Sequence, residues 1–414
     1  MIGLAVATVA VACTDNLDAG KSCPLLCPEQ SITLSDTTVD AVVTDTTVMG
    51  LPAIGLENYL MLSTHGDTLE TRAIIRFDTL QQTFSNGGID STVAEVDSAY
   101  LVTPLLIDSL RPFKSPVTIE AYDVDTTATD TVTSIIAGLF RPDRFLGSKT
   151  FAPESLLDTI HVPISTDTVL DRVLKGTHLR VGLRLISPAG ADLQLGTTAL
   201  SNAVTLQFKS SKDTAALPVD VAPLSETPTD QPFLSGPLAD YSIVLRGQTT
   251  TPPTLLSVGG VPSKRIFLHF DVPSHIVDST TVVRASLLLT QTPNRHVDAI
   301  DSMFVYPVAV LSGPVVTDIG SALEFLGPNG QFGLDSLFLA PGDSGVRSFE
   351  IVGLVRTWRG ALTTVSPRTL AIKSGSEGQL PGQIDFFSTK AAIVALRPRL
   401  RITYAKQTNY GLPR

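Results

Sequence analysis

The feature that most constrains the fold is an internal repeat as long as a domain. A strand pattern ending in Phe-Asp occurs at Arg72–Asp78 (RAIIRFD) and again at Arg265–Asp271 (RIFLHFD). Each copy is followed by a second apolar strand, VAEVDSAYLVT at Val93–Thr103 and TTVVRASLLLT at Thr280–Thr290. The copies lie roughly 190 residues apart, far more than the length of a solenoid unit. The sequence therefore predicts two tandem modules that share one fold.

The correspondence continues to the end of each copy, through a further strand, a short helix and a closing strand. Thr and Val are abundant, and β-branched residues fit pleated sheets better than helices. We therefore predict an all-β protein of two tandem antiparallel β-sandwich domains, jelly-roll-like, each with one short helix. The corresponding segments are Val117–Val124 and Met303–Val310 (strand), Thr166–Gly176 and Phe349–Gly360 (helix), and Ala203–Ser210 and Arg397–Ala405 (closing strand).

Changes in composition give the predicted domain boundaries. The segment 211–232 is rich in proline and is interpreted as a linker or the first strand of the second module. The predicted organisation is a signal segment at 1–13, a tether at 14–30, a first module at 31–210, the linker at 211–232, a second module at 233–405 and a tail at 406–414.

The first twelve residues, MIGLAVATVAVA, are followed by Cys13. An apolar run ending in small residues before a cysteine resembles a bacterial lipoprotein signal, and it is too short to span a bilayer. The alternative is a buried N-terminal strand. We predict export and anchoring of the chain to a membrane by a lipid on Cys13, in the periplasm or at the cell surface.

Two further cysteines, Cys23 and Cys27, lie in SCPLLCPEQ. In an exported protein such a pair favours a small disulfide loop. A metal site would need more ligands, and the nearest histidine is His65. We therefore predict a disulfide between them at the base of the tether.

The overall charge bears on possible partners. The formal net charge is −10 at pH 7. Phosphate backbones require a basic face, so nucleic acid is excluded as a partner.

No catalytic residues are predicted, because none of the six histidines lies in a nucleophile or zinc motif. Two carboxylates would suffice for glycoside hydrolysis, but any pair among 40 acidic residues is arbitrary.

The Asp-rich run YDVDTTATDT supplies weak calcium candidates in Asp123, Asp125 and Asp130, because Ca²⁺ prefers oxygen ligands. A second Asp-rich run, SDTTVDAVVTDTT, adds Asp36, Asp40 and Asp45. The alternative for both runs is a solvated surface, because Asp and Thr also recur in turns and on exposed strand faces. No other cofactor is predicted.

Each copy resembles the DNRLRE (disaggregatase-related) family of extracellular jelly-roll modules. In the second copy the resemblance rests on Arg265–Asp271, Val283–Leu287, Leu354–Gly360 (LVRTWRG) and Arg397–Tyr404 (RPRLRITY). The first copy lacks the Trp and the terminal Arg-Pro. The resemblance spans roughly Ser31 to Ala405 and implies a jelly-roll similar to carbohydrate-binding modules, with no reaction attached.

The sequence thus predicts a non-catalytic exported lipoprotein with a structural or adhesive role at the cell envelope. Its expected partners are the membrane, through the lipid, and a polysaccharide or an envelope protein. The first alternative is a carbohydrate-binding protein, although the single Trp, Trp358, fits core packing better than a sugar platform. The second alternative is an unrecognised hydrolase.

Overall fold

Short strands rich in Thr, Val, Ile and Leu make up most of the chain, as the composition predicts. The computed structural model describes residues 34–51, 54–55, 57–106, 113–126, 132–156, 158–213, 215–225, 238–247, 250–294, 301–319, 322–324, 335–359 and 368–406. Cys13, Cys23, Cys27 and Asp130 lie outside these residues, so the predictions made for them remain predictions.

The described strands are numbered in chain order. The first thirteen are β1 (Leu34–Val39), β2 (Val42–Leu51), β3 (Tyr59–His65), β4 (Leu69–Phe77), β5 (Thr83–Asn86), β6 (Ile89–Thr92), β7 (Ser98–Leu106), β8 (Val117–Asp123), β9 (Phe145–Phe151), β10 (Thr159–Pro163), β11 (Leu179–Ile186), β12 (Ala191–Gly196) and β13 (Thr205–Lys209). The others are β14 (Val219–Val221), β15 (Asp240–Arg246), β16 (Leu255–Gly259), β17 (Ser263–Phe270), β18 (Thr280–Thr292), β19 (Met303–Leu311), β20 (Leu323–Glu324), β21 (Leu337–Leu339), β22 (Gly345–Glu350), β23 (Thr369–Ser374), β24 (Gln383–Phe387) and β25 (Arg399–Lys406).

These strands form two large antiparallel sheets, one for each module, and this confirms the predicted all-β, sandwich-like class. The first sheet has the order β14-β13-β7-β12-β3-β4-β11-β8-β9, with β10 on β7 and β15 on β4. The second has the order β1-β25-β18-β24-β16-β17-β23-β19-β20, with β2 on β17, β21 on β19 and β22 on β18. Strands β5 and β6 form a separate hairpin.

Each sheet encloses its own apolar core, built from the inward-facing residues of alternating strands. Along β7 every second residue is buried, from Ala99 through Leu101 to Leu105. Successive side chains of a strand point to opposite faces, so this alternation places one face in the core. In the second module, Leu287 on β18 occupies the position that Leu101 has on β7, and both are fully buried.

The two predicted helices are confirmed. The first, α2 (Thr166–Lys175), is capped by the Ser165 hydroxyl, which accepts a hydrogen bond from the Thr168 amide at 3.2 Å, and it ends at Gly176 with a left-handed φ of 61°. After the second, α4 (Val352–Thr357), Trp358 is buried against Phe270, with ring centroids 5.3 Å apart. The described helices are α1 (Thr133–Ala137), α2 (Thr166–Lys175), α3 (Ser274–Val277) and α4 (Val352–Thr357).

Each module thus has two described helices, where the sequence predicts one. The unpredicted helices, α1 and α3, are five and four residues long. A segment of that length spans barely one helical turn, so it leaves no periodic pattern to detect. None of the described helices is long and apolar enough to cross a membrane.

The sheets do not follow the predicted domain boundaries. β1 and β2 lie within the predicted first module, yet β1 pairs with β25 and β2 pairs with β17, both in the second module. β15 lies within the predicted second module, yet it pairs with β4 of the first. The segment predicted as a linker also contributes β14, which pairs with β13. The modules are therefore joined by a reciprocal strand exchange.

This exchange predicts which module fails when the N-terminal strands are removed. A variant lacking residues 34–51 takes one neighbour from β17 and one from β25, while the first module keeps β14 and β15. We expect limited proteolysis, with the cleavage sites mapped by mass spectrometry, to cut first within 255–406 and to spare 59–246. The predicted boundaries, with 31–51 in the first module, require the opposite pattern.

Candidate functional site

The exchanged strands β2 and β15 are held at equivalent positions by the same pair of interactions. The Asp240 carboxylate on β15 accepts hydrogen bonds from the amide and hydroxyl of Thr198, both at 2.8 Å. The Asp45 carboxylate on β2 accepts from the amide and hydroxyl of Thr389, at 2.6 and 2.9 Å. Asp240 lies opposite Ile75 and Asp45 lies opposite Leu268, which are matching positions of the repeat.

A second interaction follows two residues along each exchanged strand. The hydroxyl of Ser242 on β15 accepts a hydrogen bond from the Met61 amide at 3.0 Å. The hydroxyl of Thr47 on β2 accepts from the Ser257 amide at 3.1 Å. The exchanged strands therefore join their host sheets in the same way in both modules.

A small cavity lies beside each exchanged strand. The cavity of the first module has a volume of about 180 Å³ and reaches the second module, because Val261 and Pro262 are part of its wall. The equivalent cavity of the second module has a volume of about 250 Å³ and is lined by Thr47, Met49 and Lys264 among others. We call these two sites the strand-crossing pockets.

The strand-crossing pocket of the first module contains a buried acid, Glu57, which is 5% exposed. Its Oε1 accepts a hydrogen bond from the Ser242 amide at 3.2 Å, and its buried Oε2 has no hydrogen-bond partner within the described ranges. Burial raises the pKa of the Glu57 carboxyl from 4.5 to about 7, and the nearby negative charge of Asp240 contributes to the increase. This acid therefore titrates near neutral pH, against the strand that joins the modules.

The equivalent pocket of the second module contains a buried amine. Lys264 is 1% exposed, and its Nζ donates a hydrogen bond to Oε1 of Gln383 at 2.6 Å. Burial lowers the pKa of the Lys264 amine, although the charge of Asp385 opposes the shift. The repeat places Thr71 at the position of Lys264, so the two pockets have diverged in chemistry.

The sequence predicts neither pocket. Glu57 and Lys264 lie in segments that look like ordinary strand and loop sequence, and the walls of both pockets come from strands that are distant in the chain. One difference in the sequence could have pointed to the second pocket: the second copy has Lys264 within an apolar strand where the first copy has Thr71.

The weak calcium candidates Asp123 and Asp125 lie close together, and their hydrogen-bond partners are basic side chains of the protein itself. Asp123 accepts a hydrogen bond from Arg172 at 2.8 Å, and the Asp125 carboxylate lies 2.6 Å from Nε2 of His178. Arg144 donates to the backbone carbonyl oxygens of both aspartates.

In the second Asp-rich run, the Asp36 carboxylate pairs with Arg401. Within the described part of the chain, no three His, Cys, Asp or Glu side chains are grouped so that they could hold a metal ion. The calcium hypothesis remains a prediction.

Aromatic side chains were the other predicted marker of a binding site. Trp358 borders a cavity of about 360 Å³, but it is 1% exposed and offers no open ring face. A different pair is exposed on the second module, where Phe304 on β19 lies opposite Phe338 on β21 with ring centroids 5.0 Å apart. These two side chains are 58% and 63% exposed.

Comparisons with known proteins add little. No protein-family model matches the chain, and no curated protein matches it. Among solved structures, the chain is similar to that of the infectious bursal disease virus Gt strain, at 11% identity over 93% of this chain and 78% of that chain, with a TM-score of 0.12. The VP2 subviral particle of that virus matches at 10% identity over 86% of this chain and 79% of that chain, with a TM-score of 0.11. Similarity this slight carries no argument about fold or function.

The pKa of Glu57 leads to a prediction about stability. Between pH 4.5 and about 7 the unfolded chain has lost this proton while the folded chain retains it. Stability therefore falls as pH rises through this window, by at most about 3 kcal/mol from this group. We expect Glu57→Gln to remove this loss, so that urea unfolding shows the variant more stable than wild type at pH 8 and similar to it at pH 4.5.

The control for this experiment is Glu95→Gln, because Glu95 is exposed and its replacement removes the same charge. The control is expected to follow the wild-type pH profile. An unchanged profile in the Glu57→Gln variant would show that Glu57 does not retain its proton in the folded chain.

Proposed function

We propose that this chain is a non-catalytic exported lipoprotein, anchored in a membrane through Cys13, whose two modules have a structural or adhesive role at the cell envelope. The observation that carries the proposal is the strand exchange. The strands that follow the predicted tether, β1 and β2, are built into the second module rather than the first. A pull on the N-terminus is therefore borne by a paired strand within a sheet.

The remaining support comes from the strand pairings through which a force on the N-terminus would pass. β1 pairs with β25 over six residues, from Leu34 opposite Ala405 to Val39 opposite Leu400. β2 then pairs with β17 along its whole length. Because β15 is exchanged in the opposite direction, the two modules cannot separate unless strand hydrogen bonds break. Such a unit suits a protein that transmits force or spaces partners at a surface.

The resemblance to DNRLRE jelly-roll modules supports the same proposal, because that family is appended to surface and secreted proteins. The acidic surface fits an envelope partner other than nucleic acid, with a net charge of −10.

The anchor is tested by metabolic labelling with palmitate in cells that express the full chain. We expect label in the wild type and in Cys23→Ser, and no label in Cys13→Ser. The Cys13→Ser protein should leave the membrane fraction and be recovered in soluble form. Equal labelling of Cys13→Ser and wild type would contradict the anchoring proposal.

One observation favours the second candidate function, carbohydrate binding. The exposed pair of Phe304 and Phe338 presents apolar ring surface, and sugar rings pack on such faces. Lys373 lies over the neighbouring ring of Tyr306, with Nζ 5.5 Å from the ring centroid. The pair and this cation lie on the β19 side of the second module.

The carbohydrate candidate is tested by pull-down of the full-length Cys13→Ser chain on a panel of insoluble polysaccharides and isolated cell envelopes, with calcium or with chelator. If the pair binds sugar, we expect saturable binding to one glycan that weakens at least tenfold in the Phe304→Ser/Phe338→Ser variant. The control is Ile393→Ser/Val394→Ser, which removes an equally exposed apolar pair elsewhere. Equal binding by both variants would contradict a role for the phenylalanine pair.

A further inference from the structure

A buried polar cluster begins at Lys264, which lines the strand-crossing pocket of the second module, and extends across three neighbouring strands. Lys264 on β17 and Gln383 on β24 are both register partners of Gly259, which lies between them on β16. The other members are Asp385, two residues further along β24, and Ser257, which lies opposite it on β16.

The contacts within the cluster are short and directed. Nζ of Lys264 donates to Oε1 of Gln383 at 2.6 Å. Nε2 of Gln383 donates to Oδ1 of Asp385 at 2.6 Å. The Ser257 hydroxyl donates to the same carboxylate oxygen at 2.6 Å. An amine is therefore held against a carboxamide oxygen, and a carboxylate is held against the nitrogen of the same carboxamide.

The cluster is also shielded from water. Lys264, Gln383 and Asp385 are 1%, 8% and 7% exposed. Ile384 and Phe386 point into the apolar core, so Gln383 and Asp385 occupy the opposite face of β24, where Thr47 and Thr251 lie nearby. Burying a charged amine is costly, and this favours the neutral form of Lys264, which is the nucleophilic form.

We propose that Lys264 and Gln383 form an intramolecular amide cross-link in the folded second module. The Nζ lone pair attacks Cδ of Gln383 and forms a new carbon–nitrogen bond. The bond from Cδ to Nε2 breaks, and the proton that leaves Nζ reaches the departing nitrogen through the Asp385 carboxylate. The products are a secondary amide and one molecule of ammonia, with no change of oxidation state.

The folded chain holds the amine and the carboxamide in contact, which free amines and carboxamides in water are not. Amines and carboxamides are unreactive at ordinary concentrations, but two groups fixed in contact react at a high effective molarity. Asp385 already contacts the leaving nitrogen, as a group that transfers a proton must. The product also relieves the burial of a titratable amine, because an amide carries no charge.

The first module supplies an internal comparison. The repeat and the strand registers place Thr71, Asp192 and Gln194 at the positions of Lys264, Gln383 and Asp385. No amine is present at this position of the first module, so the inference is specific to the second. It goes beyond the proposed envelope role, because the cross-link can be present or absent whatever the protein binds.

The test is peptide mapping of the full-length Cys13→Ser chain by trypsin digestion and tandem mass spectrometry. We expect peptides 247–265 and 374–390 as one branched species, lighter by one ammonia than the sum of the two. Trypsin does not cleave after a lysine in an amide link, so cleavage after Lys264 should be absent. Complete recovery of separate peptides 247–264 and 374–390 from the wild type would overturn the proposal.

Two variants assign the chemistry. Lys264→Arg removes the nucleophile and is expected to abolish the branched species. Persistence of an ammonia-deficient link in this variant would point to attack by Ser257 and overturn the amide assignment. Asp385→Asn is expected to leave the two peptides separate, and full cross-linking in it would overturn the role of Asp385. The wild-type map does not depend on either variant being folded.

Discussion

The pairing of β2 with β17 and of β15 with β4 is the interaction on which the rest of the structure depends. Each exchanged strand is held by a carboxylate that accepts two hydrogen bonds from a threonine, Asp45 from Thr389 and Asp240 from Thr198. Both faces of β4 are buried because β15 and α1 cover its outer side, where Ile74 packs near Tyr241. Without the exchange, each host strand would expose apolar surface and unpaired backbone on the side that the exchanged strand now covers, and an exposed edge of this kind can pair with other chains.

The exchange also creates the two pockets, and their chemistry follows from where the strands cross. A small space remains beside the exchanged strand in each module. In the first module the space is occupied by Glu57, whose pKa burial raises to about 7. In the second it is occupied by Lys264, which contacts Gln383. The equivalent pockets of a duplicated fold thus contain an acid in one copy and an amine in the other, supplied from positions that do not correspond in the repeat.

The sequence predicts what depends on local pattern. Period-two alternation identifies strands such as β7, and the helix α2 follows from its apolar spacing and its glycine end. The exchange is not predictable in this way, because β2 and β15 are equivalent strands of the repeat and either module offers the same register partners. The cluster around Lys264 was missed for a related reason. Lys264 and Gln383 are 119 residues apart, and each alone reads as a polar strand residue.

The position of the cluster connects the chemistry with the mechanics of the fold. β17 pairs with β2, which follows β1 from the predicted tether, so force that passes the pairing of β1 with β25 reaches β17 next. Lys264 lies at the start of β17, and Gln383 lies on β24 across the intervening strand β16. Hydrogen bonds between strands break one at a time under load, whereas a covalent bridge across three strands does not. A link at this position would tie β17, the strand that pairs with β2, covalently to β24. The first module, whose exchanged strand β15 does not follow the predicted tether, has Thr71 in place of the amine.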